Sequence, residues 1–173
     1  MKFVLIGYMG SGKTAVGTSL SKTLKYKFID LDHEIERSHQ LKISEIFKSK
    51  GEIYFRKLEA TVLKEILKRE GNSIIATGGG TPCYGSVMED LLKSDDTTII
   101  YLKNNLDTLT TRLFKEKDQR PLISHIDSEE ILHDFIRKHL FERAYYYNRA
   151  HLIVNCEGLS PNEVVQKIVL KLF

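Results

Sequence analysis

Cysteine is scarce in this chain: Cys83 and Cys156 are the only two, too far apart for a disulfide framework or a zinc site. The six histidines show neither an H-x-x-x-H pair nor a Cys/His spacing, so no structural metal is expected and both thiols read as reduced and structural. Proline is equally sparse, with three in 173 residues, and there is no Ser/Gly-rich tract, no block of like charge and no internal repeat. Nothing therefore marks a linker, and residues 1–173 are expected to form a single domain large enough to bury a core without disulfides. Long apolar runs are missing too, which excludes a membrane span, and a strand pattern starting at Lys2 leaves no room for a leader segment. The expectation is a soluble, cytoplasmic protein with no membrane partner. Charge of one sign is also lacking: 26 basic residues face 23 acidic ones, interspersed, for a net +3. That is no nucleic-acid footprint, although single arginines can still meet an anionic ligand.

What is present begins at residue 7. Gly7-Tyr8-Met9-Gly10-Ser11-Gly12-Lys13-Thr14 reads G-x-x-x-x-G-K-T, after the apolar run Phe3-Val4-Leu5-Ile6 and before a helical pattern carrying Ala15, Val16, Leu20 and Leu24. Strand, loop and helix in that order are the context a phosphate-binding loop requires. Glycines let successive N–H groups and a helix N-terminus converge on one anion. Lys13 adds a full positive charge for the β- and γ-phosphates, and Thr14 a hydroxyl for the Mg²⁺ that travels with a nucleoside triphosphate.

The chain then alternates strand and helix. Residues 27–32 read as a short strand ending in Asp30 and Asp32, which alternation places on one side. One of them suits a hydrated metal and the other a substrate hydroxyl; equally, the two suit a cap for the next helix. Short and long helices are expected over 43–49 and 51–70. Arg56 and Glu59, three apart on the flank of the second, can pair either as an ordinary surface couple or as a pre-oriented anion site. A strand over 73–77 runs into Gly78-Gly79-Gly80, where bare backbone suits either a tight turn or close approach of a ligand. A helix (84–93), a central strand (97–102) and a helix (106–114) carrying Arg112 follow. Residues 115–121 form a charged loop, and a helix (128–147), a strand (152–154) and a helix from Pro161 to 172 close the chain. The tyrosines at 145–147 read as packing residues. Five strands alternating with helices predict a three-layer α/β fold with a parallel sheet covered on both faces; periodicity leaves the strand order open.

The chain lacks the N-K-x-D and D-x-x-G strings of a GTPase, and its strands after residues 77 and 102 do not end in the catalytic acid of a motor ATPase. A small metabolite kinase with its own lid fits better. The set Gly10-Ser11-Gly12-Lys13-Thr14, Asp30-x-Asp32, Gly51-Glu52-x-x-Phe55-Arg56-x-x-Glu59, Thr77-Gly78-Gly79-Gly80, Arg120-Pro121-Leu122 and Arg143 resembles the shikimate kinases, in that order and along nearly the whole chain. The resemblance implies a P-loop kinase fold with strand order 2-3-1-4-5, a monomer, and transfer of the ATP γ-phosphoryl to the 3-hydroxyl of shikimate in aromatic amino-acid biosynthesis. It implies phosphate binding by Gly10, Ser11, Gly12, Lys13, Thr14 and Ala15, and Mg²⁺ held by Thr14 and, through water, by Asp30. Asp32 is implied as the hydroxyl-binding residue and base, and Arg56 and Arg143 with the backbone of Gly78, Gly79 and Gly80 as the carboxylate clamp. Arg120 is the implied lid arginine, in a lid over about 115–126, and Arg112 and Pro161 flank the adenine. Asn155 departs from the aspartate common at its position. A kinase for another hydroxy acid such as gluconate, or a non-catalytic nucleotide-binding module, are the alternatives.

Overall fold

The computed structural model describes residues 1–120 and 122–173. Pro121, the middle of the Arg120-Pro121-Leu122 triplet, lies outside the described residues. The elements follow in order as β1 (Lys2–Ile6), α1 (Lys13–Leu24), β2 (Lys27–Asp30), α2 (Leu31–His39), α3 (Ile43–Lys50), α4 (Glu52–Lys68), β3 (Ser73–Ala76), α5 (Val87–Leu92), β4 (Thr97–Lys103), α6 (Leu106–Glu116), α7 (Glu129–Tyr147), β5 (Leu152–Asn155) and α8 (Pro161–Leu172). The five strands form one sheet in the order β2-β3-β1-β4-β5, with all four neighbouring pairs parallel. β1 at the centre is buried along its whole length, which is why residues 3–6 are apolar without alternation.

Alternate residues of each strand feed two separate cores. Phe3, Leu5, Ile74 and Ile100 pack with Val16 and Leu20 of α1 and Val164, Val165 and Ile168 of α8. Val4, Ile6, Ile75 and Ile99 pack on the other face with Ile35 of α2, Leu63 and Ile66 of α4, and Leu132 and Ile136 of α7. The expected three layers follow from this division.

Three local expectations are corrected. β2 ends at Asp30, not Asp32, because Oδ1 of Asp30 accepts from the amides of Asp32 (3.1 Å) and His33 (3.4 Å) and so starts α2 at once. The helix expected from residue 84 starts only at Val87. Residues Thr81–Cys83 make a 3₁₀ turn instead, and Gly85 at φ +57° cannot continue it as a right-handed helix. Lys115 and Glu116, read as loop, are the last turn of α6, and Lys117–Gln119 extend it as a 3₁₀ turn. Beyond them, Ile123 and Ile126 are buried in the second core, so the polar stretch is pinned at its far end by two apolar side chains.

Candidate active site

The phosphate loop lies between the C-terminal end of β1 and the N-terminus of α1, with Gly10 and Gly12 at positive φ (+76° and +89°). Its carbonyls are taken by side-chain donors. Lys13 Nζ donates to the oxygens of Gly7 (2.8 Å) and Tyr8 (2.9 Å), Arg112 Nη1 to that of Gly10 (3.2 Å), and Asn104 Nδ2 to that of Ser11 (3.3 Å). In a planar peptide, carbonyls facing these donors turn the following amides the other way, which suits an anion site. Burial pulls the Lys13 ammonium down to about 8, with Arg120 and Arg143 adding to the shift and Asp32 and Asp30 working against it.

Thr14, one residue into α1, donates its hydroxyl to Oδ2 of Asp30 at 2.9 Å. Asp30 thus spends one oxygen on the α2 cap and the other beside the loop. Thr14, Asp30 and Asp32 are hard oxygen donors lining one cleft of about 480 Å³ with the loop, a set that suits Mg²⁺, which takes few protein ligands and completes its shell with water and phosphate. Among the described residues no group of three or more His, Cys, Asp or Glu gathers as a metal cage.

Asp32, in the first turn of α2, has its carboxyl raised to about 6. Burial is the main cause, with Glu59 and Asp30 adding repulsion and Lys13 and Arg56 opposing it. A carboxyl poised there can accept a proton near neutral pH.

Arg56 and Glu59 are no surface couple. Arg56 Nη1 donates to Glu59 Oε2 at 2.7 Å, the Glu59 side chain is 2% exposed, and its other oxygen accepts from the Thr81 hydroxyl at 2.6 Å. The guanidinium also lies over the Tyr84 ring, 4.4 Å from its centroid. The three glycines explain themselves here. A Cβ on Gly78 would stand 2.7 Å from Glu59 Oε1, one on Gly79 2.9 Å from the Met9 backbone nitrogen, and one on Gly80 3.0 Å from both Nη1 and Nη2 of Arg56. On the Cβ side the protein's own loop and ion pair take the space, while the backbone of Gly78, Gly79 and Gly80 also lines the hollow that holds Arg56. Arg143, from α7, faces the same hollow with its guanidinium 5.3 Å from the Tyr8 ring centroid.

Two hollows meet at this point. The loop-side cleft and the hollow holding Arg56 and Arg143 share Met9, Asp32, Gly78, Gly79 and Arg120 as lining residues. Arg120 is held by Glu116 at 2.7 Å, and among the described residues its Nε is buried with no hydrogen-bond partner. An orphaned charged donor between the two hollows is suited to an anion. The same cleft is also lined by Arg112, Cys156, Leu159, Pro161 and Val164. Asn155 Oδ1 there accepts from the Glu157 amide at 3.0 Å, a turn that needs only an acceptor oxygen two residues back, which asparagine supplies as well as aspartate. Both cysteines are free, with burial pushing each thiol up to about 11.

The family model for shikimate kinase matches residues 9–173. The chain belongs to the shikimate kinase family. It is 48% identical over 168 residues to the shikimate kinase of Flavobacterium johnsoniae, covering 97% of this chain and 96% of that one. Among solved structures, the shikimate kinase of Bacteroides thetaiotaomicron superposes with a TM-score of 0.91 at 35% identity, covering 99% of this chain and 98% of that one. The shikimate kinase of Acinetobacter baumannii, solved in complex with shikimate, gives 0.87 at 32%, covering 99% and 92%. A gluconokinase from Sinorhizobium meliloti, at 17% identity and a TM-score of 0.58, shares the fold alone. Shikimate kinases are ATP-dependent phosphotransferases acting on an alcohol group, and the strand order read from the family resemblance is the one observed.

Several residues around this shikimate-kinase site were given no role in it by the sequence reading, although Glu52 stood in the quoted motif and Tyr147 was read as a packing residue. Asn104 stands just past the end of β4 and supports the loop; its position after a central parallel strand was the available signal. Glu52 pairs with Arg56 at 3.2 Å, detectable from the i, i+4 spacing. Tyr147, whose hydroxyl donates to the Gly79 carbonyl, and Tyr8, buried beneath Arg143, carry no local signal.

Proposed function

We propose that the chain transfers the γ-phosphoryl group of ATP to the 3-hydroxyl of shikimate, giving shikimate 3-phosphate on the route to aromatic amino acids. The observation that carries this is the junction of the two hollows: a phosphate loop on one side, two arginines on the other, and Asp32 and Arg120 common to both. In this reading Gly10, Ser11, Gly12, Lys13, Thr14 and Ala15 bind the phosphates, and Arg112 and Pro161 flank the adenine. Arg56, Arg143 and the backbone of residues 78–80 take the shikimate carboxylate, which orients the ring so that one hydroxyl faces Asp32. Asp32 accepts the hydroxyl proton, and Lys13 and Arg120 compensate charge on the transferring group. Such a reaction needs positioning and electrostatics more than covalent help. Thr14 directly, and Asp30 through water, would hold Mg²⁺, which supplies neutralisation of phosphate charge. Residues from about 115–126 act as a lid that carries Arg120, and closure excludes water that would otherwise compete for the phosphoryl group. All these residues come from one chain, which supports a single-domain monomer. The reduced thiols and the lack of a spanning helix among the described residues accord with a cytoplasmic enzyme.

The test is ADP release measured by a coupled assay across shikimate, gluconate and other small hydroxy acids. Shikimate is expected to be preferred by orders of magnitude in kcat/KM. Preference for gluconate, or no ADP release by folded protein with any acid, overturns the reading.

A further inference from the structure

Three consecutive carbonyls just past β3 are each taken by a donor, but not by the same kind. The oxygen of Gly78 accepts from the Thr81 amide at 3.3 Å and that of Gly80 from the Cys83 amide at 2.9 Å, so both are held locally by the 3₁₀ turn. The oxygen of Gly79 accepts instead from the hydroxyl of Tyr147, 68 residues further along the chain. Among the described residues the amides of Gly78, Gly79 and Gly80 find no acceptor, and all three glycines line the hollow that holds Arg56 and Arg143.

A peptide is planar, with its carbonyl and its amide on opposite sides. Tyr147 is 1% exposed, stacks on Tyr101 of β4 with ring centroids 5.0 Å apart, and so reaches Gly79 from the core. The Gly80 amide, across the same peptide, is thereby turned from the core toward the hollow. No other donor holds the Gly79 carbonyl. Reversing this peptide would carry Gly80 from φ −91° to the positive side, which costs a glycine little, and would present a carbonyl to an anion where an amide had stood.

Packing against Tyr101 asks only for a ring, which phenylalanine would supply; the hydroxyl is the part that packing leaves unexplained. Burial pushes the phenol well above its ordinary value, so it remains a donor at any working pH. Arg143 stands one turn earlier on α7, and the Tyr147 hydroxyl is among the groups that act on its guanidinium. One buried oxygen therefore faces both the backbone and the cationic part of the hollow.

We propose that Tyr147 is a positioning residue for the substrate carboxylate: its hydroxyl fixes the peptide between Gly79 and Gly80 so that the Gly80 amide faces the incoming acid. This rests on the shikimate-kinase reading above. Tyr147 itself never touches the substrate; it sets the direction of a donor that does.

Tyr147→Phe keeps the ring and removes the hydroxyl. It should raise the shikimate KM, and the dissociation constant from calorimetry, by about tenfold, the scale of one hydrogen bond to a charged group. The ATP KM and the kcat at saturating shikimate should stay within about twofold, since the contact is equally present before and during transfer. With the analogue carrying a hydroxymethyl group in place of the carboxylate, the variant and the wild type should have the same kcat/KM. An unchanged shikimate KM would mean that the hydroxyl only satisfies a core carbonyl, and equal losses for both compounds or a rising ATP KM would mean a general disturbance; each overturns the proposal. Should Tyr147→Phe not fold, the wild type still decides: the Gly80 amide resonance should move downfield as shikimate is titrated in, and a resonance that stays put overturns the proposal. The wild-type substrate panel judges the activity by itself, so a failure there is distinguishable from a failure of Tyr147 to orient the peptide.

Discussion

The hydroxyl of Thr81 donates to one oxygen of Glu59 at 2.6 Å while the other oxygen of that carboxylate takes Arg56 at 2.7 Å. Both Thr81 and Glu59 are 1% exposed, so the carboxylate has exchanged water for two strong donors, and through it the 3₁₀ turn after β3 is tied to α4. Removing either donor or acceptor leaves a buried polar group unmatched.

Stability should therefore fall in a definite order. Thr81→Val is expected to cost about 1–3 kcal/mol, the penalty of one unmet charged acceptor. Glu59→Ala is expected to cost about 3–5 kcal/mol, because Arg56 then keeps its charge in a mostly buried place. Urea midpoints compared at constant slope measure both. A Thr81→Val loss larger than that of Glu59→Ala would mean that Thr81 packing, not the carboxylate, holds this corner.

Lys13→Ala should lower turnover by at least about two orders of magnitude, on the order of 3 kcal/mol in activation free energy, by removing the charge that compensates the transferring group. The fold should survive. The ammonium is held near 8 rather than 10.5, so burying its charge costs stability below pH 8, and that cost fades as pH rises from about 8 to 10.5. Steady-state kinetics and a melting curve on the same variant check both halves. Near-normal turnover would remove Lys13 from the chemistry.

Asp32 should give opposite signs for activity and stability. Its folded pKa of about 6 exceeds the ordinary 3.8, so between these values the folded chain holds the proton more tightly. The stability this confers is full below about 3.8 and is lost as pH rises through 6. Asp32→Asn should stabilise the protein at pH 7, by about 1–2 kcal/mol. The same change should abolish the limb of kcat/KM that rises through about pH 6 in the wild type. A pH–rate profile with that limb intact in Asp32→Asn would assign the ionisation to another group.

Substrate identity rests on the arginines. Arg56→Ala should raise the shikimate KM strongly, with ATP affinity barely changed, and Arg56→Lys should recover only part of the loss because an ammonium cannot make two parallel contacts. Arg143→Ala should act in the same direction. Titrations in which Arg56→Ala weakened ATP and spared shikimate would move the clamp elsewhere.

The proposed lid can be followed by hydrogen exchange. Amides over residues 115–126 should exchange fast in the free protein and slow when ATP and shikimate are both bound, with Ile123 and Ile126 the slowest because their side chains are buried. Arg120→Ala should impair transfer far more than shikimate binding. Equal protection with and without ligands would mean that Arg120 acts from a fixed position.

The phosphate loop, the α/β alternation and most element boundaries were readable because each is a local property. Gly7 to Thr14 carry their geometry in residue type and spacing, and the unalternating runs over residues 3–6 of β1 and 99–102 of β4 declare burial on both faces. Asp30 shows where local reading reached its limit, since a strand end, a metal position and a helix cap ask for the same short carboxylate. In the structure one oxygen caps α2 and the other accepts from Thr14.

What the tertiary structure alone decided is who meets whom. Periodicity tells which side of a helix is buried but not against which neighbour, so whether Arg56–Glu59 was a solvated couple or a buried one depended on β3 delivering Thr81 and three side-chain-free residues against α4. Arg143 reaches the hollow of Arg56 only because α7 packs on the same face of the sheet as α4, although 87 residues separate them in sequence. The pKa of Asp32 and the partners of Lys13 arise in the same way. Burial and charge proximity are properties of the assembled crevice, and no stretch of chain carries them by itself.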